Sequence, residues 1–420
     1  MKLTSIHCQE IMEVLEKFAR FPKHVRDFQP IISEGLHETN AVDKGIMRRN
    51  TCFPNIDNYE MIYSGPHFFV GNPLYKCPRE NCKLNSDYDN IDLTQIPEDY
   101  VPRTNYTPTI GLDKYKSLIQ GFPIGQDADG QPVHDDWFSH YKMGFRRMVG
   151  SSSERTLSGA ILLPHTFNIG GVVTVVFKNL KDLAEFSALS SSMPLDFYLK
   201  TLGISDIHAN RVQPFPLGVV ERFKEPLYLR TLLLNCLTRP YADLWEEMWR
   251  EDYRLQTWSI EDSRLKPFGT LTREWTWDIP LRNYFERRQA LVEIDVLSAM
   301  ALGLSLQDLE TMYNIQFPVL KQNEQDTWYD RLGNIVFTCS KGLTGVGVDR
   351  PTWETIRHLR EGETYTHTID PQKSELYGGR TVVYYAPFTR CDRIADYRRA
   401  WQHFERLLAK ESYLQSKSRN

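Results

Sequence analysis

Short apolar runs separated by Pro and Gly turns characterise the sequence from residue 61 to residue 220. MIYSGPHFFVG, SGAILLPHTF and GGVVTVVF all have this form, and the β-branched content of the third predicts a buried strand. KYKSLI predicts a short helix, and a longer predicted helix carries one apolar face, made of Leu180, Leu183, Phe186 and Leu189. The pattern therefore predicts a mixed α/β unit.

Helical spacing replaces this pattern after a charged stretch that ends at Pro226, where we predict a boundary. LYLRTLLLNCLTRPYADLWEEMWRED predicts two helices broken at Pro240, and RRQALVEIDVLSAMALGL predicts a long one. SLQDLETMYNI predicts another helix after a turn at Gly303. IVFTCS, TYTHTI and TVVYYAPF then predict strands, and DYRRAWQHFERLLAKE predicts a last helix.

The chain begins with a predicted amphipathic helix whose apolar positions are Ile6, Ile11, Met12, Leu15 and Phe18. We predict a helical docking segment at 1–60, an α/β domain at 61–220, a helical domain at 221–325, and C-terminal strands plus a helix at 326–420. The predicted fold class is α/β (α+β) with a mixed sheet, followed by a helical part and a small α+β part.

Composition and charge restrict the possible partners. The 420 residues are 41% hydrophobic, which is enough for substantial cores, but no apolar run approaches the roughly 18 residues of a membrane span. The first residues lack the features of a signal peptide, so we expect a cytoplasmic protein without membrane contact. A formal net charge of −4, from 50 basic and 54 acidic residues, argues against a uniformly basic protein that coats nucleic acid. It is compatible with one local basic cleft.

Seven cysteines spread through a large chain favour reduced thiols over a disulfide framework. Cys77 and Cys82 are the only close pair, and a zinc site is one interpretation of them. Their C-x4-C spacing is wider than the usual knuckle and no second Cys/His pair lies nearby, so two loop thiols are the favoured interpretation.

The stretch VGNPLYK differs by one letter, at Leu74, from the Asn-Pro-Pro-Tyr with which amino-methyltransferases hold the amine of a flipped-out base. Such enzymes also need a strand and a Gly-rich turn for S-adenosylmethionine, and none precedes Asn72. Two downstream segments are candidates, Phe167–Gly171 and Gly342–Gly347. Either is alternatively a Gly-rich connection between strands.

Nuclease chemistry also lacks a complete set of residues. Asp196 and Lys200 are present, but the middle acid that Mg²⁺-dependent cleavage requires is missing. Glu293 and Asp295 lie two positions apart on a predicted helix and are predicted to be solvated charges. Spacing alone therefore identifies no complete active site.

Basic and amide side chains adjoin aromatic residues within the α/β region, as in Arg103-Thr-Asn105-Tyr106 and Tyr141-Lys142. Arg and Lys suit phosphates and guanine edges, and Asn suits adenine edges, so such residues are one way to read a DNA duplex. The alternative is that they are ordinary surface charges.

A succession of motifs resembles the C-terminal half of large bacterial DNA adenine methyltransferases. The most specific part is YKMGFRRMVGSSSERTLSGAILLP followed by SSSMPLDFYLKTLG and IHANRVQPFPLG. GPHFFVGNPLYK, RRQALVEIDVLSAMALGLSLQDLETMYNIQFPVL and APFTRCDRIADYRRAWQHFERLL extend the resemblance over residues 60–410. These enzymes belong to type IIG restriction–modification systems and to phage-defence systems such as DISARM and BREX.

The resemblance implies a target-recognition region without the catalytic domain, which in that family comes earlier and carries the cofactor glycines and Asn-Pro-Pro-Tyr. It therefore implies no catalytic, cofactor or metal residues in this chain, and S-adenosylmethionine bound by a partner methyltransferase or restriction subunit. The other implied partner is double-stranded DNA. Carried over by position, the expected DNA-binding residues are Arg146, Arg147, Arg155, Lys200, Asn210 and Arg211.

Several alternatives remain open on the sequence alone. Arg155 is alternatively the internal partner of Glu154 or of another acid. The chain is alternatively a self-sufficient methyltransferase using Asn72–Tyr75 and Gly342–Gly347, or a truncated remnant that acts as a protein-interaction module. Under the leading hypothesis, Asn72-Pro73 is a turn after a strand HFFVG, and Lys76 faces a phosphate.

Overall fold

A computed structural model describes the chain over residues 9–57, 59–111, 113, 114, 118, 122–126, 132–135, 137–150 and 153–417. These residues form a mixed α/β fold, as the sequence predicts. Ile6 and most of the predicted KYKSLI helix lie outside the described residues.

The α-helices are Gln9–Ala19, Glu38–Asp43, Leu180–Ser191, Met193–Thr201, Ala209–Val212, Glu221–Asn235, Ala242–Met248, Tyr284–Ala301, Leu306–Gln316, Pro318–Gln325, Arg350–Ile356 and Arg393–Lys417. The strands are Ile31–Ser33, Met47–Cys52, Ile62–Tyr63, Lys76–Pro78, Tyr88–Asn90, Thr104–Pro108, Phe122–Gln126, Pro132–Asp135, Lys142–Arg146, Gly159–Leu162, Phe167–Asn168, Val172–Val176, Trp328–Tyr329, Ile335–Phe337, Thr364–Thr368 and Thr381–Tyr385. Most of the predicted helices and strands are confirmed, and the exceptions are described below.

A four-stranded antiparallel sheet forms the centre of the α/β region, in the order Ile31–Ser33, Val172–Val176, Lys142–Arg146, Gly159–Leu162. The strand Val172–Val176 is buried along its whole length, as its β-branched composition predicts. Parallel pairing occurs separately, between Ile62–Tyr63 and Phe167–Asn168. The sheet ends at Arg146, where the loop discussed below begins.

The helix Tyr284–Ala301, called the central helix below, is buried on nearly all sides. It packs against the helices Leu180–Ser191, Glu221–Asn235 and Arg393–Lys417. Asn283 and Glu286 form a capping box at its start, which satisfies backbone N–H groups that a buried helix end cannot leave to water. Its charged side chains are enclosed together with its apolar ones, because residues of the surrounding helices pair with them.

Burial of this helix corrects the prediction for Glu293 and Asp295. Both are fully buried, and each is paired with an arginine from another helix, Arg230 and Arg393 respectively. Their side chains point in different directions because they lie two positions apart on a helix, and both directions lead into protein because other helices surround the central helix.

The stretch Glu221–Pro226 is also more regular than its composition suggests, because it opens the helix Glu221–Asn235 and Pro226 lies inside that helix. The largest hydrophobic cluster includes residues from each of the four predicted segments, among them Val14, Phe145, Leu229 and Tyr397. Among the described helices, none is long and apolar enough to cross a membrane.

Candidate functional site

A loop at residues 147–156, of which 151 and 152 are not described, connects several of the predicted DNA-binding residues. Arg147 N donates to Gly171 O at 2.9 Å, which continues the pairing between the strands Lys142–Arg146 and Val172–Val176. Ile207 N donates to Arg147 O at 2.8 Å, and Val149 N donates to Ser205 O at 2.9 Å. The loop is thus fixed beside the segment that leads into the helix Ala209–Val212, which carries Asn210 and Arg211.

Four of the six predicted residues have side chains that reach solvent, and we call them the loop surface: Arg147, Lys200, Asn210 and Arg211. The Arg147 side chain is 31% exposed, and its Nη1 donates to Gly170 O at 3.2 Å. Asn210 and Arg211 are exposed, and no hydrogen bond or ion pair of their side chains is found in the part of the chain that the structure describes.

Lys200 joins the loop surface from the helix Met193–Thr201. Its Nζ donates to Ser153 O at 3.3 Å and lies 5.0 Å from the centre of the Phe317 ring. Burial lowers the pKa of the Lys200 ammonium from its ordinary value. The half-buried lysine therefore holds the far end of the loop and still has donors for a ligand.

Arg146 points into the protein rather than toward the loop surface. Its Nε donates to Gly65 O at 2.8 Å and its Nη2 donates to Phe68 O at 2.6 Å. The guanidinium lies 5.3 Å and 5.5 Å from the ring centres of Phe69 and Tyr75. Burial also lowers its pKa. Arg146 thus anchors the VGNPLYK segment, and its N–H groups are directed at protein acceptors.

Arg155 is buried, with a side chain only 5% exposed, and the structure shows the internal ion pair that the sequence left open. Its partner is Asp196, at 2.5 Å from Nε, and its Nη2 donates to Ser191 O at 2.9 Å. Asp196 also accepts hydrogen bonds from the backbone N–H groups of Thr156 and Leu157. In this arrangement Arg155 cannot reach a DNA backbone, because the protein encloses its guanidinium.

Other basic residues in the quoted motifs are also structural. Lys142 is buried and donates to Thr166 O at 2.6 Å. Arg103 pairs with Glu375 at 2.6 Å. Sequence reasoning grouped them with the surface because residue type and aromatic neighbours do not reveal which face a side chain takes.

The VGNPLYK segment is a turn, but no strand HFFVG precedes it. Gly65–His67 is a 3-10 helix, and Phe69 and Asn72 pair across a tight turn at Gly71, whose φ is +60°. Asn72 Oδ1 accepts a hydrogen bond from Leu74 N at 3.0 Å. The amide that would hold a target base in an amino-methyltransferase is therefore engaged in shaping its own turn.

The neighbouring Lys76 is half-buried, and its Nζ lies 5.2 Å from the centre of the Tyr75 ring. Burial and the nearby Arg146 lower its pKa. Its predicted phosphate contact remains a prediction.

This turn, the central helix and the Gly342 loop line a cavity of about 190 Å³, the central cavity. The Tyr75 hydroxyl donates a hydrogen bond to Gly342 O, so two segments named separately in the sequence meet at its wall. The strand before the loop, Ile335–Phe337, pairs antiparallel with Trp328–Tyr329. A cofactor-binding turn of the predicted kind joins a parallel strand to a helix, so this pairing gives no support to the Gly342–Gly347 alternative.

Among the described residues, no group of three or more His, Cys, Asp or Glu is placed to hold a metal ion. Cys77 is buried, and its sulfur accepts a hydrogen bond from Arg103 N. Cys82 is half-exposed, and its sulfur accepts a hydrogen bond from Asn105 Nδ2. Both sulfurs thus take part in the protein's own hydrogen bonding.

No protein-family model and no curated protein matches the chain. Function is therefore inferred from the geometry of the loop surface and from the motifs in the sequence.

Proposed function

We propose that this chain is the DNA-sequence-recognition component of a restriction–modification or phage-defence system with an adenine-specific DNA methyltransferase. It acts with a catalytic subunit that binds S-adenosylmethionine. The observation that carries the proposal is the backbone pairing of Arg147 and Val149 with Ser205–Ile207, which places Arg147 beside the segment that leads into Asn210 and Arg211. These residues lie far apart in the sequence, and their chemistry matches the recognition motifs.

The loop surface offers the two kinds of contact that a duplex reader needs. Arg147, Lys200 and Arg211 supply charged donors for phosphates or guanine edges, and Asn210 supplies the amide that pairs with adenine edges. Met148, which follows Arg147 in the chain, is 80% exposed and offers an apolar contact for a base methyl group. Asp206, 4.0 Å from Arg147 Nε, is the acidic neighbour that DNA phosphates would displace.

The rigid attachment of the loop suits this role. The loop is held at the end of the central sheet through Gly171, by the Ser205–Ile207 segment, and by Lys200 through Ser153. A surface held at three points loses less conformational entropy when it binds, and its donors stay in a fixed register along the duplex. The partner then flips the target adenine into its own pocket for N6 methylation.

Fluorescence anisotropy with labelled duplex DNA, titrated over a range of salt concentrations, tests the proposal. The full chain, alone and with its catalytic partner, is expected to bind with an affinity that falls as salt rises, because phosphate contacts release counterions. Arg211→Ala and Asn210→Ala should weaken binding. A chain that stays folded but binds no duplex under either condition, or binds without a salt dependence, contradicts the proposal.

A further inference from the structure

A two-stranded antiparallel ribbon in the C-terminal part has one edge without a neighbouring strand. Its strands are Thr364–Thr368, called the edge strand below, and Thr381–Tyr385, and within the described residues no third strand pairs with the edge strand. The far side of the other strand is covered, since Tyr385 N donates to Asp330 Oδ2 at 3.4 Å and Tyr385 O accepts from Arg331 N at 3.0 Å. The open side of the ribbon is therefore that of the edge strand.

Hydrogen bonds at the two ends of the ribbon show which backbone groups lie on this open side. Ile369 N donates to Arg380 O at 2.8 Å, and Ala386 N donates to Glu363 O at 3.0 Å. Positions 363 and 369 thus point toward the other strand. Because the direction alternates along an antiparallel pair, positions 365 and 367 point the same way, and positions 364, 366 and 368 point outward.

The three outward positions are all threonines, Thr364, Thr366 and Thr368. Their side chains are exposed, and their backbone N–H and C=O groups form no hydrogen bond with any described residue. Between them, Tyr365 and His367 are half-buried, and Tyr365 packs against the hydrophobic cluster that contains Trp353. The core therefore holds the strand extended while a regular row of donors and acceptors faces outward.

The edge strand lacks the features that usually keep such an edge from pairing. It contains no Pro, no Lys and no other ionised side chain, and its register with Thr381–Tyr385 runs without a bulge. Burial lowers the pKa of the His367 imidazole, so this ring is neutral at neutral pH as well. An edge without charge is complementary to a partner strand that is also uncharged, and a copy of the edge strand meets this condition.

The edge strand is also complementary to itself in shape and hydrogen bonding. In an antiparallel pair with a two-fold axis at Thr366, this residue lies opposite its own copy, and Thr364 lies opposite Thr368 of the second copy. Each outward threonine then donates one backbone hydrogen bond and accepts one. Threonines directly opposite each other are favourable cross-strand neighbours, and the same surface serves both copies, as a two-fold interface requires.

We propose that the edge strand pairs with the edge strand of a second copy of this chain, antiparallel and two-fold symmetric about Thr366. The two ribbons then form one continuous antiparallel sheet. Because the contact is short and offers little apolar surface, the dimer forms reversibly with rising protein concentration. The proposal does not depend on DNA recognition, because the loop surface uses other residues.

Sedimentation velocity of the full chain, over protein concentrations from about 1 µM to 1 mM, tests this proposal. The weight-average sedimentation coefficient should rise from that of a monomer toward that of a dimer. Thr366→Lys should weaken association at least about tenfold, because two like charges would face each other at the axis. Thr366→Pro should do the same by removing an outward N–H, and an edge strand tolerates this proline.

Thr381→Lys is the matched control. Thr381 is an exposed threonine opposite Thr368 on the other strand of the ribbon, away from the paired edge, so its replacement should leave association unchanged. Circular dichroism and thermal unfolding verify that each variant is folded. Hydrogen–deuterium exchange then locates the contact: the amides of residues 364–368 should exchange more slowly at high concentration in wild type and Thr381→Lys, but not in Thr366→Lys.

Concentration-dependent dimers that both Thr366 variants weaken, with slowed exchange at the edge strand, support the proposal. A folded chain that stays monomeric over the whole range overturns it. A dimer that neither Thr366 variant weakens, or that Thr381→Lys weakens equally, also overturns it. Exchange at the edge strand that slows only when the catalytic partner is added overturns self-pairing and assigns the edge to that partner.

Discussion

Arg147 and Arg155 lie eight positions apart on one loop and have opposite environments. The Arg147 side chain is 31% exposed and its Nε has no hydrogen-bond partner in the described chain. The Arg155 side chain is 5% exposed and is paired with Asp196. The loop thus separates a surface that can meet a charged ligand from an interior that neutralises its own charges. The comparison teaches that an arginine in a motif that suggests DNA binding is evidence for binding only after its burial is known.

Buried ion pairs like that of Arg155 and Asp196 also occur in the helical part of the molecule. Arg393 pairs with Asp295 and Glu324, Arg288 pairs with Glu324 and Asp396, and Tyr397 donates to Asp295 at 2.6 Å. These side chains connect the central helix to Pro318–Gln325 and Arg393–Lys417. Each buried charge is tolerable because several partners satisfy it, so losing one partner leaves the others uncompensated.

The largest effect is expected at the most deeply buried pair, Arg230 and Glu293, both of which are fully buried and joined at 2.6 Å. Arg230→Leu should lower the free energy of unfolding by about 3–5 kcal/mol, because Glu293 is left as an unpaired buried charge. Urea denaturation measures the change. The double variant Arg230→Leu/Glu293→Leu should recover part of the loss, and a double variant no more stable than the single one would contradict this explanation.

The next largest expected effect is a loss of stability in acid, caused by protonation of Glu324. Despite a desolvation penalty from burial, Arg393 and Arg288 lower the pKa of Glu324 from 4.5 to about 2. An acid whose pKa is lower in the folded than in the unfolded state stabilises the fold at pH values above its unfolded-state pKa. This stabilisation is lost as the pH falls toward the folded-state pKa. The free energy of unfolding should therefore drop by up to about 3 kcal/mol between pH 5 and pH 2 on this account.

Glu324→Gln should show a flatter profile over the same pH range, together with lower stability at neutral pH. Asp295 in the same network changes stability with pH in the opposite direction. Burial raises its pKa, so its contribution to stability is lost as the pH rises. The difference between wild type and Glu324→Gln isolates Glu324 from this opposing contribution. Urea titrations at each pH give the unfolding free energy of both proteins. If it depends on pH in the same way for wild type and Glu324→Gln, the pKa of Glu324 does not differ between the folded and unfolded states.

The two arginines of the loop provide a direct comparison. Arg155→Met should cost about 2–3 kcal/mol of unfolding free energy, less than Arg230→Leu, because Arg155 is slightly less buried and two backbone N–H groups still hold Asp196. Glu293 would keep only one backbone donor, Ser259 N, and the side-chain amide of Gln289. Arg147→Met should cost about 0.5 kcal/mol or less. Thermal and urea unfolding of both variants check the ranking, and equal costs would remove the distinction between the two sides of the loop.

The smallest change in stability is expected at Arg211, which is exposed and outside every described ion pair. Arg211→Ala should leave the free energy of unfolding within about 0.5 kcal/mol of wild type. If Arg211 contacts one phosphate, the variant should reduce the slope of log affinity for duplex DNA against log salt concentration by about 0.9. Arg273→Ala, at another exposed arginine, is the control and should leave that slope unchanged. A slope equally reduced by both would point to a general charge effect.

Local pattern predicted most elements of the fold because helix and strand periodicity depends on neighbours in the chain. The helix from Tyr284 and the strand Val172–Val176 both match their predicted segments. The predicted strand HFFVG fails because Ser64 and His67 hydrogen-bond each other within a 3-10 turn, and Gly71 then reverses the chain. Five apolar or aromatic letters in a row do not reveal such local bonding.

The sequence by itself determined most of the helices and strands, the central helix among them, and the residue types on which the proposed DNA contact depends. The tertiary structure alone decided which of those residues face solvent. It separated Arg147 from Arg155, and it placed Glu293 and Asp295 in the interior. It also brought Tyr75 to Gly342 across most of the chain, around a cavity. The physical reason is that periodicity is a property of a segment, whereas burial and charge pairing depend on how all segments pack together.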